Sequence, residues 1–208
     1  MTTKNQRSTA IGCRVKSGWA VTVLLAGPVG SPHVLDRRRI ELSDPSVPDT
    51  MQPYHAGLHA ERIDPGAVEQ LTRLVARCAH QELAGLVRAY RAMGYQPTRI
   101  GIVVGSIIDP ATIANPHIRA HAQEGRLFRS IIETAAKGLG IASVVLVERE
   151  LYATAARTLG GSPGRLQRAA TDLGRTVGRP WRADEKTAVV AAWLALSARA
   201  PERKVRSL

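Results

Sequence analysis

Histidines and carboxylates are the residues whose spacing in this chain admits metal chemistry. The stretch "PHIRAHAQEGRLF" sets His117 and His121 four positions apart, with Glu124 three further on. On a helix these residues share one face, in line with Phe128. Imidazoles at that spacing can hold Zn²⁺, and a carboxylate one turn on can act as a third ligand or a general base. A second pair, His55 and His59, repeats the spacing inside residues 43–64, a long loop rich in proline, aspartate and serine. Long loops in compact domains are often functional. The plain alternative for His117 and His121 is a polar helix face beside a proline loop. A zinc-protease helix carries Glu directly after its first histidine, and Ile118 stands there instead.

Other chemistry-bearing groups are weaker. Glu148 and Glu150 flank Arg149 at the end of a strand-like run. Carboxylates at strand ends can face ligands, and the bland reading is an exposed cap of the next helix. Gly160, Gly161 and Gly164 with Arg165 and Arg168 would let backbone and guanidinium approach a phosphate. They match no P-loop, and a flexible linker is the alternative. Cys13 and Cys78 read as small buried thiols rather than a disulfide or a metal site. No Gly-x-Ser-x-Gly elbow occurs, which disfavours a covalent hydrolase. Trp19, Trp181 and Trp193 are not interleaved with basic residues, which argues against a base-stacking platform for single strands.

Charge points to the partner. The 208 residues carry a formal net charge of +12. Arg149, Arg157, Arg165, Arg168, Arg175, Arg179 and Arg182 face only Glu150 and Asp172 within residues 149–182, so the excess sits in the last third. A basic balance of this kind favours polyanions, with nucleic acid ahead of an acidic membrane. The alternative is a solubility charge on an arginine-rich chain. No apolar run is long enough to cross a bilayer, so no membrane role is expected. "MTTKNQRSTA" lacks the apolar core of a signal peptide, and a cytoplasmic location is expected. A homo-oligomer is compatible with all of this.

Positioning these groups requires a scaffold, and its elements are readable. "AIGCRV" and "WAVTVLLAG" are β-rich runs around a glycine turn, and "HVLDRRRIEL" reads as a third, edge strand. Asp64 and Pro65 open a long amphipathic helix that runs to Gly94. "TRIGIVVGS" and "ASVVLVE" are apolar runs typical of strands buried on both faces, separated by a helix over 117–139. Shorter helices and a closing apolar helix, "ADEKTAVVAAWLALSARA", follow. The order predicts an α/β fold: a mixed five-stranded sheet, an antiparallel meander of three strands then two parallel strands, with helices on both faces. Residues 1–9 are expected to be a frayed start, 10–199 a single domain and 200–208 a basic tail.

"AIGCRVKSGWAV", "LYATAARTLGGSPGRLQRAATDLGR" and "RADEKTAVVAAWLAL", in this element order, resemble the ribonuclease H-like fold, and within it the RuvC-type Holliday-junction resolvases. The resemblance implies two-metal phosphodiester cleavage, with carboxylates from the first strand, the fourth strand and the final helix holding the ions. Those positions fall on Arg14, near Gly105, and on Asp184 and Thr187, so only Asp184 keeps the acid. No Asp or Glu occurs before Asp36, so no shift of register supplies the first ligand. A cation at Arg14 would also repel Mg²⁺. The reading is therefore a degenerate, non-catalytic RuvC-like protein that binds DNA or RNA through Arg14, Lys16, Arg157, Arg165, Arg168, Arg175, Arg179 and Arg182. Two alternatives stand beside it. One is a nuclease with a relocated site of His121, Glu124, Asp109 and Asp184, using Mg²⁺, Mn²⁺ or Zn²⁺ on Asp184, His117 and His121. The other is a protein-assembly module on the same fold.

Overall fold

In a computed structural model that describes residues 8–57 and 60–198, β1 (Ser8–Lys16) turns straight back into β2 (Trp19–Ala26). Lys16 pairs with Trp19 across the turn, and Gly18 takes φ +79°, the left-handed conformation such a tight hairpin needs. β3 (His33–Glu41) pairs antiparallel with β2. Its outward Arg38 and Arg39 are exposed, charges that blunt a sheet edge, as the arginine run predicts.

Residues 43–64 are not featureless. They hold a 3-10 turn at Pro48–Met51 and a two-residue ribbon, β4 (His55–Ala56) against β5 (Ala60–Glu61). The helix α1 (Pro65–Ala92) starts where the Asp64 side chain accepts from the Gly66 and Ala67 amides at 2.9 and 3.3 Å. It is followed by β6 (Gln96–Val104), α2 (Pro116–Gly138), β7 (Ala142–Val147), α3 (Leu151–Leu159), α4 (Pro163–Leu173) and α5 (Ala183–Ser197).

The main sheet has the order β3-β2-β1-β6-β7, with β6 and β7 parallel to β1. This is the mixed five-stranded sheet expected. Successive residues of β1 point to opposite faces. Ile11 and Cys13 join Leu24, Ile100 and Ile102 under α1 and α2, where Leu83, Tyr90, Phe128 and Ile132 close one core. Ala10 joins Val21, Val23 and Val103 under α5, with Leu151, Leu166 and Val189 in the second core.

α5 lies unusually close to the sheet. A Cβ at Gly12 would sit 1.7 Å from the Ala188 carbonyl oxygen, and one at Gly101 would sit 2.4 Å from that of Ala191. Small residues on strand and helix let the two backbones meet, which is why α5 is apolar nearly all round.

One strand differs from expectation. β7 reads as buried on both faces, yet it is the outer strand of the sheet, and Val144 is 41% exposed. An apolar run alone does not say which strand ends a sheet. Among the described residues no helix is long and apolar enough to cross a membrane.

Both cysteines are free thiols. Cys13 is fully buried, and burial pushes its thiol up to about 12. Burial raises the half-buried Cys78 as well. Since the thiolate is the nucleophile, Cys13 is expected to resist iodoacetamide at neutral pH in the native protein and to react once urea unfolds it. Peptide mass spectrometry of the alkylated protein reads this directly, and a native Cys13 adduct would contradict it.

Candidate functional site

The carboxyl ends of β1, β6 and β7 meet the first turn of α5. Arg14 shares its face of β1 with Ala10 and Gly12, so its side chain is carried under α5. It is only 4% exposed. Its Nη2 donates to the Glu148 carboxylate, and its Nη1 donates to the carbonyls of Val15 and Val103 at 3.1 and 3.4 Å. Its Nε lies 3.8 Å from Asp184 Oδ1. Lys16 Nζ reaches the same oxygen at 3.3 Å.

Each carboxylate is placed by a chain end. Glu148 follows the last residue of β7, in a 3-10 turn over Glu148–Glu150, and Asp184 stands in the first turn of α5. Glu185 anchors that turn by accepting from the Arg182 amide at 2.8 Å. Two cations and two carboxylates therefore neutralise one another here. Gly105 follows the end of β6 and faces open space, and Thr187 is buried.

Arg14, expected as a phosphate contact, is thus held by carboxylates. Glu148, expected as an exposed helix cap, is its main partner. Glu150 takes no part and pairs with Arg149 at 3.3 Å.

The second cluster lies across the sheet, on α2. Asn115 caps that helix by accepting from the Ile118 amide at 3.1 Å. His117 and His121 face the same way, their ring centroids 4.6 Å apart. His55 of β4 inserts its ring against both, at 5.2 and 4.4 Å. One nitrogen from each imidazole lies within 4.8 Å of the others. Beneath them Glu124 is wholly buried. Its Oε1 is 2.6 Å from His55 Nδ1, and its Oε2 is 3.6 Å from His121 Nδ1. Burial pushes the Glu124 carboxyl up, against the pull of His55 and His121.

The loop that brings His55 here is pinned from several directions. Arg62 donates to the carbonyls of Pro53 and His55, at 3.1 and 2.8 Å, and to Asp49 at 2.7 Å. Arg119 of α2 donates to Glu61 of β5 at 3.1 Å and holds that carboxyl below its usual range.

The four residues of the relocated nuclease site do not come together. His121 and Glu124 are neighbours. Asp109 is an exposed cap that accepts from the Ala111 amide at 3.2 Å and lies 3.8 Å from Arg126. Asp184 belongs to the α5 side of the sheet, opposite α2. A cavity of about 270 Å³ at the strand ends is lined by both Arg14 and His121, with Lys16, Gly105 and Gly125 between them. His59 lies outside the described residues. The spacing pairs His55 with His59, and nothing in the sequence signals that His55 meets α2.

Arg157, Arg165, Arg168, Arg175, Arg179 and Arg182 are all exposed. The last three line a groove of about 640 Å³ with Trp181 and Lys186. The Trp181 ring packs on Gly174, where a Cβ would be 2.2 Å away, and its Nε1 donates to the Ala170 carbonyl at 2.9 Å. The arginine run of β3 extends this surface. Arg37 donates to the Arg179 carbonyl at 2.5 Å, and Arg39 lies over the Trp19 ring at 4.4 Å. A smaller cavity of about 240 Å³ holds Arg37, Arg39 and Arg182 together.

No protein-family model and no curated protein matches the chain. Solved structures do. RuvC from Thermus thermophilus superposes with a TM-score of 0.54 at 9% identity, covering 89% of this chain and 92% of that one. T. thermophilus RuvC in complex with a Holliday junction substrate gives 0.53 at 11% identity, covering 90% and 91%. The chain therefore has a RuvC-like variant of the ribonuclease H-like fold.

Proposed function

We propose that this protein binds nucleic acid on its basic face and does not cleave it at the carboxyl edge of the sheet. The observation that carries the reading is the Arg14 guanidinium, buried between Glu148 and Asp184 where two-metal cleavage would need open carboxylates. A hard divalent ion takes several oxygen ligands, and both acids here already serve a cation. Binding is supported by the exposed arginines around the Trp181 groove and by Arg37 and Arg39 beside it. Their spread over two cavities suits an extended phosphate backbone better than a small anion. Arg157, Arg165 and Arg168 would lengthen the same track along α3 and α4.

Gel-shift titration against a four-way DNA junction, a plain duplex and a single strand tests it. The junction is included because one structurally similar RuvC is bound to one. Binding is expected to weaken steeply with salt. The triple variant Arg175→Ala/Arg179→Ala/Arg182→Ala should flatten the slope of log affinity against log salt on duplex, by about 0.9 for each phosphate it no longer neutralises. No shift with any substrate at low salt would end the binding reading, and a protein partner would then be sought for the same surface. Mg²⁺- or Mn²⁺-dependent cleavage abolished by Asp184→Ala would end the non-catalytic one.

A further inference from the structure

We propose that His55, His117 and His121 form a Zn²⁺ site that fastens the loop carrying β4 onto α2, with Glu124 as the carboxylate behind His55. The site borders the same cavity as Arg14 but shares no ligand with the Arg14 cluster, and it does not depend on the nucleic-acid reading.

The three ring nitrogens already lie within 4.8 Å of one another. A tetrahedral ion bound at about 2.0 Å sets its nitrogens about 3.4 Å apart, so small ring rotations close the site. His55 is 4% exposed, and its Nδ1 is taken by Glu124, which leaves Nε2 for a metal. That Nε2 is buried with no hydrogen-bond partner. A buried polar atom without a partner is costly, and a metal bond would satisfy it.

The Glu124 contact also suits a metal-bound imidazole. Metal-binding imidazoles commonly present their second nitrogen to a carboxylate, which fixes the ring and raises its basicity. Glu124 is fully buried and contacts two of the three rings. A carboxylate buried beneath three imidazoles also helps to balance the charge of a divalent ion.

The donor set selects the metal. Three imidazoles favour Zn²⁺ and its late neighbours over Mg²⁺ or Ca²⁺, which prefer oxygen. Three protein ligands leave one position to water or to another group. The His121 side chain is 49% exposed and borders the cavity at the ends of β1 and β6, so that position can be reached from solvent.

The test uses the full chain with any affinity tag removed, stripped of metal and titrated with ZnCl₂ by calorimetry, with metal content read by elemental analysis. One Zn²⁺ per chain is expected. Co²⁺ in its place should show the intense visible bands of a four-coordinate ion. His121→Ala is at the surface and should fold normally by circular dichroism, yet lose the site and the Zn²⁺-dependent rise in Tm. Glu124→Gln should weaken binding about 10- to 100-fold. His80→Ala, on the exposed side of α1, should bind as the parent does. Failure to bind Zn²⁺, or equal binding by the parent and His121→Ala, would overturn the proposal.

Discussion

Replacing Glu148 and Asp184 together by alanine is expected to lower stability by about 3 kcal/mol, because it strands a buried guanidinium. Arg14 is almost completely inside, and these two acids are the carboxylates that meet it. Lys16 can turn to water once Asp184 is gone, but Arg14 is enclosed between the sheet and α5. This loss is at the low end for a broken buried pair, since Glu148 and Asp184 are themselves 45% and 30% exposed.

The sign is the informative part. In a metal-binding cluster the acids repel one another when no ion is present, so removing two relieves strain and tends to stabilise. Urea unfolding of the double variant reads the difference. Adding Arg14→Met to the same background should recover much of the loss, because an apolar side chain of similar length needs no counter-charge. A double variant as stable as the parent would mean that Arg14 is not held by these carboxylates.

Gly12→Ala is expected to be at least as damaging, with a loss of about 3 kcal/mol, the upper end of ordinary overpacking. The new methyl would sit 1.7 Å from a backbone oxygen of α5, and a helix cannot yield there as a flexible side chain would. α5 must lift from β1, which also moves Asp184 away from Arg14 and Lys16. Gly101→Ala meets α5 at 2.4 Å and should cost less. Gly105→Ala, with open space around it, serves as the control. Thermal and urea melts of the three variants should rank in that order, and an unperturbed Gly12→Ala would contradict the close approach of α5.

Much of the scaffold is legible in the sequence because its signals are local. Gly18 marks the first turn, Asp64 with Pro65 marks the start of α1, and the arginine run marks β3 as an edge. The pattern of helices and strands then leaves few topologies. What escapes is set by contacts distant in sequence. His55 meets Glu124 across 69 positions, and no periodicity links a loop residue to a helix face that far away. Glu148 looks like a solvated cap until β7 lies beside β6 and its end faces Arg14. That no Asp or Glu precedes Asp36, by contrast, needs no structure to be seen. The burial of Arg14 then shows where Asp184 is directed.

The position of β1 also sets a timetable for folding. One of its neighbours, β2, arrives through a two-residue turn, while the Val103 carbonyl that meets Arg14 lies 89 positions away and Glu148 lies 134 away. Closing loops of such length costs entropy before any contact rewards it, so the meander is expected to assemble first and this cluster last. Until then the guanidinium stays in water, and no intermediate has to bury a lone charge. The stabilisation it later provides therefore falls mainly on the rate at which the native protein opens, leaving the rate at which it forms little changed.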